Sequence, residues 1–525
     1  MMKKIIAGAL GLMITAALCL TAGCTDRGDD YTFITIPKQT ETTDTSAYTS
    51  ASQTERTEQT TETSSTAQST VHTTDTSEQT TNDDTGLPPA EMPYDYPGDL
   101  FSIDFAGELF TVAVSYGYAG ESYTDIYRDG EDKVSVAIRT RNRMIETIHD
   151  CRIDFMLCEN PHDMARAEVI VSGNQIDLFS SALYWTASNA SQDWSYNLYG
   201  LGLDFAGSWW DREWVNTFTV TANDCKQLHS IIGDFSLNTL LNTQVLFYDM
   251  AVLQHTFPDW NMADIVMSGE WTMDKFAQMM TLGAVDDGNG QYLLEDNDTL
   301  GWVREPRTIV QSVFAATGAP FIENSGGAMY FASENMETWQ KAAEQTIAFY
   351  GEKTSCNLEI KYFSKVMKRH GSVFYSATIA ELELINAEQE FGILPYPLYS
   401  AEEDRYVSVV DNIASAYSIP TSVSHAKTVA TFLEVFTYYS QKKVLPEAIS
   451  YYGEKYGSEE VVREIWESRI YDPAYICWQD TYVDTLVNMA QKSENTIHEN
   501  WAVLAENQFT KLYEDWIDAI SDNEY

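Results

Sequence analysis

Gly233–Phe276, GDFSLNTLLNTQVLFYDMAVLQHTFPDWNMADIVMSGEWTMDKF, is the stretch on which the reading of this chain turns. Its centre, Thr243-Gln-Val-Leu-Phe-Tyr248, is a short apolar and β-branched run and predicts a buried strand. A helical stretch follows, and then Gly269-Glu-Trp-Thr-Met-Asp274. In that segment Thr272 is placed to cap a helix starting at Met273, because its hydroxyl can accept from a backbone N–H that has no partner in the first turn.

Working outward, the segment before this stretch alternates strand and helix signals. Leu109–Ser115 reads as a strand, Val134–Ile148 has apolar residues at helical spacing, Cys151–Leu157 reads as a second strand, and Glu168–Phe179 gives a helix end, a glycine break and a third strand. Such alternation implies parallel βαβ units and an α/β lobe. After Phe276, helices are expected over 311–318 and over Lys427–Ser440. In open α/β sheets, ligands bind beyond the carboxyl ends of the strands, which directs attention to Tyr116 and Tyr184-Trp185.

These parts, in this order, resemble the extracellular solute-binding proteins of ABC importers, in the family of maltose and oligosaccharide binders. The strand ending in Phe247-Tyr248 resembles the family's crossing strand, and Gly269–Phe276 its "G-x-WT-x-D-x-F" helix start. Leu203–Trp214, with Trp209-Trp210, resembles the "DL-x-x-x-WW" signature of a clostridia-like lipoprotein subgroup. Asp298-Thr-Leu-Gly-Trp-Val303 resembles the family's "D-x-YGF/W" strand, Gly371–Ala377 its "G-x-a-l-F-x-x" strand, and Phe391–Pro397 with Val407–Asn412 its return crossing to the first lobe. The resemblance covers about residues 100–490. It implies an α/β, two-lobe, periplasmic-binding-protein-like (type II) fold with interlobe hinge strands. Lobe 1 would comprise 87–247 plus 412–450, and lobe 2 would comprise 248–411 plus 451–525, joined near Tyr248 and Val410.

The function implied is capture of a carbohydrate, an oligosaccharide, by lobe closure and its delivery to the permease subunits of an ABC transporter. Tyr116, Trp185, Trp302 and Trp478 are the expected stacking surfaces. Ser376 and Asp411 or Asn412 are the expected partners of hydroxyl groups. Trp209-Trp210 can serve a sugar site, since flat rings match the C–H faces of pyranoses, or fill a gap between helices.

At the amino end, Lys3-Lys4 precedes the apolar run Ile5–Leu20 and then Thr-Ala-Gly-Cys24, a lipoprotein-type signal over residues 1–23 with Cys24 as the acylation site. The position three before the cysteine is Thr21 where a leucine is usual, so a plain secretory signal or an uncleaved anchor remains open. Residues 24–86 are expected to form a disordered stalk. From Lys38 to Gly86 about half the residues are Thr or Ser, and such a segment buries too little apolar surface to offset its ordering entropy. The protein is thus expected outside the cytoplasm, held to the cell membrane by an N-terminal lipid.

The composition narrows the classes further. With 32 basic and 78 acidic residues, the net charge of −46 argues against nucleic acid and against docking on anionic lipid. Seven cysteines without CxxC spacing indicate neither a disulfide framework nor a zinc site. No GxSxG, HExxH, P-loop or dinucleotide fingerprint occurs, so no enzyme activity and no cofactor are expected. Val285–Tyr292 resembles a calcium loop in which Asp287 and Asn289 precede Gly290, but its first ligand position is Val285, so a plain acidic turn is the competing reading. Two other functions fit the same sequence: a surface adhesion or scaffold protein reusing the fold, and an extracellular glycoside-active enzyme.

Overall fold

The structure, a computed structural model, describes residues 100–523 apart from 117–121, 295–296 and 386–389. Cys24, the signal segment 1–23 and the stalk 24–86 lie outside the described residues. Those described all fall within one compact unit, Pro89–Tyr525.

Two β-sheets organise this unit. In the first, Glu108–Ser115 lies between Cys151–Cys158 and Leu178–Ala182, all parallel, and Ser415–Ser418 closes the sheet antiparallel to Leu178–Ala182. The central strand, ELFTVAVS, is apolar on both faces from Phe110 onward, as a strand covered by helices on each side must be. Helix Lys133–Ile148 makes the first crossover, started by Asp132, whose side chain accepts from Ser135 N. Helix Pro161–Val171 makes the second, with Pro161 in its first turn and a left-handed Ser172 ending it.

The second sheet repeats the plan. Ser355–Asn357, Leu300–Arg304 and Ser372–Thr378 are parallel, Gln244–Asp249 runs antiparallel to Ser372–Thr378, and Phe391–Leu394 completes the sheet on the other side of Gln244–Asp249. The expected hinge strand is therefore a central strand of the second sheet. Thr272 caps helix Met273–Gly283 by accepting from Lys275 N at 3.2 Å. Asp249 ends the hinge strand and caps the next helix by accepting from Ala251 N and Val252 N at 3.0 and 3.1 Å.

The sequence passes between the sheets twice, and the crossings touch. Thr243 forms an antiparallel bridge with Val410, and Asp411 N donates to Asn242 O at 2.8 Å. Each sheet thus receives one antiparallel strand from the other half of the chain, which is the α/β two-lobe arrangement with interlobe crossing strands. A buried network fixes the crossings to the first sheet. Asp125 accepts from Asn238 N at 2.9 Å and from Tyr417 Oη at 2.8 Å, and Ser415 N donates to Asn238 Oδ1 at 2.7 Å. Arg141, fully buried, donates to Asp125 O at 2.8 Å and lies over the Phe436 ring.

Two features differ from the expected layout. The strand Gln244–Asp249 lies whole in the second sheet, so a division at 247/248 falls inside it. The tail past residue 450 packs against both halves. Helix Leu445–Tyr456 meets the first crossover through Lys133, whose Nζ donates to Glu454 at 2.7 Å. Helix Glu499–Ser521 carries Tyr513, bonded to Met329 N at 3.1 Å, and Trp516, bonded to Ala187 O at 3.0 Å. An amphipathic helix buries its apolar stripe wherever apolar surface is open, and position in the sequence does not say on which lobe that is.

Trp209 and Trp210 are 5% and 2% exposed, and Trp210 donates to Asp204 O at 3.0 Å. They fill the space beneath helix Ala426–Lys443, where Trp209 meets Tyr438 edge-on. The described cysteines, Cys151, Cys158, Cys225, Cys356 and Cys477, are free. Among the described residues, no helix is long and apolar enough to cross a membrane.

Candidate functional site: the cleft between the two sheets

The carboxyl ends of the parallel strands in both sheets lead to the crossing segments, and the polar and exposed aromatic groups collect there. On the first sheet, Glu108–Ser115 leads to Tyr116, 50% exposed, and Leu178–Ala182 leads to Tyr184 and Trp185, 40% and 37% exposed. Tyr184 and Trp185 are adjacent rings, tilted at 46° with centroids 5.3 Å apart, and form a small aromatic surface at this strand end. Trp185 is held in place by a relay. Ser181 Oγ accepts from Asn189 Nδ2 at 2.9 Å, Asn189 Oδ1 lies 2.7 Å from His162 Nδ1, and the His162 ring stacks on Trp185 at 4.2 Å and 13°. Burial lowers the His162 pKa, which keeps its imidazole neutral around pH 7 and suits a ring used as a flat support.

The floor is the crossing segment itself. Tyr184 N donates to Asn412 O at 3.4 Å, which ties the aromatic side to the hinge. Asp411 Oδ2 accepts from Gln244 Nε2 at 2.9 Å and from Tyr475 Oη at 2.8 Å, and its Oδ1 accepts from Ile413 N at 3.1 Å. Gln244 and Asn412 are each 5% exposed, and Gln244 Oε1 and Asn412 Nδ2 have no hydrogen-bond partner among the described residues. A buried polar atom without a partner costs about 1–3 kcal/mol, so two at one place call for something to complete them.

The second sheet supplies carboxylates. Gln244 faces Thr378 across the antiparallel pair. Thr378 N and Oγ1 both donate to Glu381 Oε2, at 2.8 and 3.2 Å. Glu305 follows the strand Leu300–Arg304 and accepts from Ile360 N at 2.9 Å. Burial pushes the Glu381 carboxyl up to about 7 against the bonds from Thr378, and repulsion from Glu305 and Asp411 adds to the rise. Glu305 is also raised, first by burial, with Asp411 and Glu359 adding to it.

Behind Tyr475, whose hydroxyl holds Asp411, lies a cavity of about 480 Å3 lined by Gln311, Phe314, Phe321, Asp472 and Leu486 among others. None of the residues singled out in the sequence lines it. The strand-end cleft and this cavity are neighbours that share Tyr475.

Tyr116 and Trp185 thus stand exposed after strand ends of the first sheet, and Asp411 and Asn412 lie on the crossing segment bonded to Tyr184. Trp302 and Ser376 do not present their groups to the cleft, and the expectation for them is corrected. Trp302 is 1% exposed, its Nε1 donates to Ser376 Oγ at 2.7 Å, and Phe276 and Phe349 pack edge-on against its ring. The two residues satisfy each other inside the second lobe's core. Trp478 packs edge-on against Phe509 of the tail helix Glu499–Ser521. In the acidic turn, the carboxylate oxygens of Asp286, Asp287 and Asp298 lie within 4.8 Å of one another. Asp286 Oδ1 already accepts from Gly288 N and Gly290 N, and Asn289 Oδ1 accepts from Gln291 N. Asn289 thus caps the turn itself.

Gln244, Thr378, Glu305 and Glu381 were not singled out in the sequence. Gln244 had a visible signal, a single amide at the head of an otherwise apolar strand. The others stand at strand and helix ends, and only the pairing of Ser372–Thr378 with Gln244–Asp249 brings them to the hinge.

No family model matches the chain, and no curated protein sequence matches it. Among solved structures, it is similar to a cyclo/maltodextrin-binding protein complexed with maltotetraose, at 9% identity over 78% of this chain and 97% of that one, with a TM-score of 0.49. The GacH receptor of Streptomyces glaucescens, solved unliganded and with acarbose, gives 10% identity over 78% and 99%, with a TM-score of 0.49. The maltose/maltodextrin-binding domain MalE from Bdellovibrio bacteriovorus, bound to maltotriose, gives 12% over 78% and 98%, with a TM-score of 0.44. The fold assignment rests on the strand order and the paired crossings described above.

Proposed function

We propose that this chain is the ligand-capturing component of an ABC importer, a solute-binding protein that closes its two lobes on a carbohydrate, an oligosaccharide, and delivers it to a membrane permease. The observation that carries the reading is the meeting of exposed rings and incompletely bonded amides at the crossing segments. Trp185 and Tyr184 offer ring faces for pyranose C–H groups, while Gln244 Oε1 and Asn412 Nδ2, buried and unpartnered in this conformation, would supply an acceptor and a donor to hydroxyls once the lobes rearrange around a ligand. Two crossing strands are a short hinge, and a ligand touching both sheets favours the closed state by its differential affinity for that state. On this reading Cys24 carries the lipid that holds the protein to the outer face of the cell membrane.

A thermal-shift screen of the intact protein against mono- and oligosaccharides, with peptides as controls, tests the ligand class. A ligand at a hundred times its dissociation constant adds about 2.7 kcal/mol of stability. A rise in melting temperature with saccharides is expected. A response to peptides alone would keep a binding function and overturn the carbohydrate. Mass spectrometry of the amino-terminal peptide tests the anchor, since an unmodified Cys24 would remove it.

A further inference from the structure

The lobes are joined at a second place besides the crossing segments. The hairpin of Ile322–Ser325 and Ala328–Phe331 belongs to the second lobe. Phe321 and Phe331 pack on Trp339 of helix Met336–Tyr350, whose Phe349 meets Trp302 edge-on. The hairpin tip reaches the first lobe. Asn324 Nδ2 donates to Thr217 O at 2.9 Å and to Thr219 O at 2.7 Å, and Thr221 N donates to Gly327 O at 2.8 Å. That segment is fixed to the first sheet, since Trp214 donates to Ser230 O beside the bridge between Ile231 and Tyr417. Gly327, at φ +93°, permits the approach, because a Cβ there would strike Thr221 Oγ1.

Helix Glu499–Ser521 ties the same lobes together. Its start lies on the second lobe, where Trp501 packs against Phe321, Phe331 and Trp339. Its middle holds the hairpin, with Tyr513 Oη accepting from Met329 N at 3.1 Å. Its end lies on the first lobe. Trp516 Nε1 donates to Ala187 O at 3.0 Å, Asn223 Nδ2 to Ser521 O at 2.8 Å, and Asn523 Nδ2 to Ala190 O at 2.9 Å. Ala187 and Ala190 belong to helix Thr186–Ser191, which begins directly after Trp185 and carries Asn189, the partner of His162.

These contacts bear on the site. Gln244 and Asn412 are each 5% exposed, so a ligand reaches their amides only when the lobes part. Parting the lobes about the crossing segments separates Asn324 from Thr217 and Ala187 from Trp516. The hairpin tip, with Ser325, Gly326 and Ala328 exposed, buries little apolar surface, and contacts of that kind open ahead of a core.

We propose, building on the lobe-closure reading above, that hairpin Ile322–Phe331 and helix Glu499–Ser521 form a clasp that holds the cleft shut, and that its release is the step that admits a ligand.

Native-state hydrogen exchange of the intact protein in low urea tests the clasp without a ligand. The Thr221 and Met329 amides are bonded within the clasp, and the Tyr184 amide is bonded to Asn412 O on the cleft floor. All three are expected to exchange through one shared opening, ahead of the strand Gln244–Asp249. Asn324→Ala and Trp516→Phe each remove bonds between the lobes and should speed that exchange by about fivefold or more. A Tyr184 amide that stays slow while Thr221 and Met329 quicken would overturn the gating. Exchange of all three only with global unfolding would overturn the clasp itself. Saccharide association with the two variants should quicken by a similar factor, and an unchanged rate for a saccharide that binds would also overturn the proposal. Absence of any saccharide binding would sink the carbohydrate reading alone, with the exchange rates still deciding the clasp.

Discussion

Two tryptophans show how surroundings assign a residue its role. Trp185 rests one face on His162 and is 37% exposed, whereas Trp302 is sealed by Phe276, Phe349 and Ser376. Trp185→Ala is expected to weaken saccharide binding about tenfold or more with little change in melting temperature, because an exposed ring contributes little to the core. Trp302→Ala is expected to cost about 3–5 kcal/mol by leaving a cavity and stranding the Ser376 hydroxyl. Urea denaturation and calorimetry of the two variants separate these outcomes, and a reversal of the pattern would reject the placement. Trp185 was visible in the sequence as a ring after a strand, and Trp302 as a ring within one. What was not visible is that the register pairs Phe374 with Trp302, which brings the indole next to Ser376 in the core.

Among the elements, the helix pair Leu445–Tyr456 and Glu459–Glu467 depends on a single glycine. A Cβ on Gly453 would lie 2.6 and 2.7 Å from Glu459 Cα and N, backbone atoms that cannot turn aside. Gly453→Ala should therefore force the helices apart and destabilise the protein by about 1–3 kcal/mol, read as a lowered urea midpoint. Nearby, Arg469 joins Asp211 at 2.8 Å in a buried pair that Tyr471 Oη shares at 2.7 Å, which fixes the start of the tail to helix Arg212–Phe218. The acidic turn Val285–Tyr292 is an element that completes itself, since backbone N–H groups already bond to Asp286, Asp298 and Asn289. Millimolar calcium is expected to leave the melting temperature unchanged, and a rise would assign an ion to Asp286, Asp287 and Asp298.

For the whole molecule, the pH dependence of stability carries a sign set by burial. Asp234 is pushed up to about 7 chiefly by burial, with the bond from Gln441 and the charge of Arg469 opposing the rise. Between about pH 4 and 7 the unfolded chain releases this proton while the folded state keeps it, so rising pH removes stability across that window, and the effect levels off above it. Asp234→Asn has no such proton to keep. Its stability relative to the parent should climb by on the order of 4 kcal/mol over the same window. Denaturation midpoints of the two proteins at several pH values measure the difference, and parallel curves would show Asp234 ionised in the native state.

The sequence by itself determined the local elements and their order. Apolar runs such as Phe110–Val114 read as buried strands, Thr272 caps its helix from where it stands, and strand–helix alternation implies parallel sheets with covered faces. It placed Tyr116 and Trp185 after strands, because strand ends can be read along the chain. Only the tertiary structure decided which polar groups meet. Asp411 is bonded to Gln244, 167 residues away, and to Tyr475, 64 residues away. Trp302 went to the core, and the tail spread over both halves. Contacts between distant segments depend on register and on which apolar faces remain open, and neither is encoded in any local stretch.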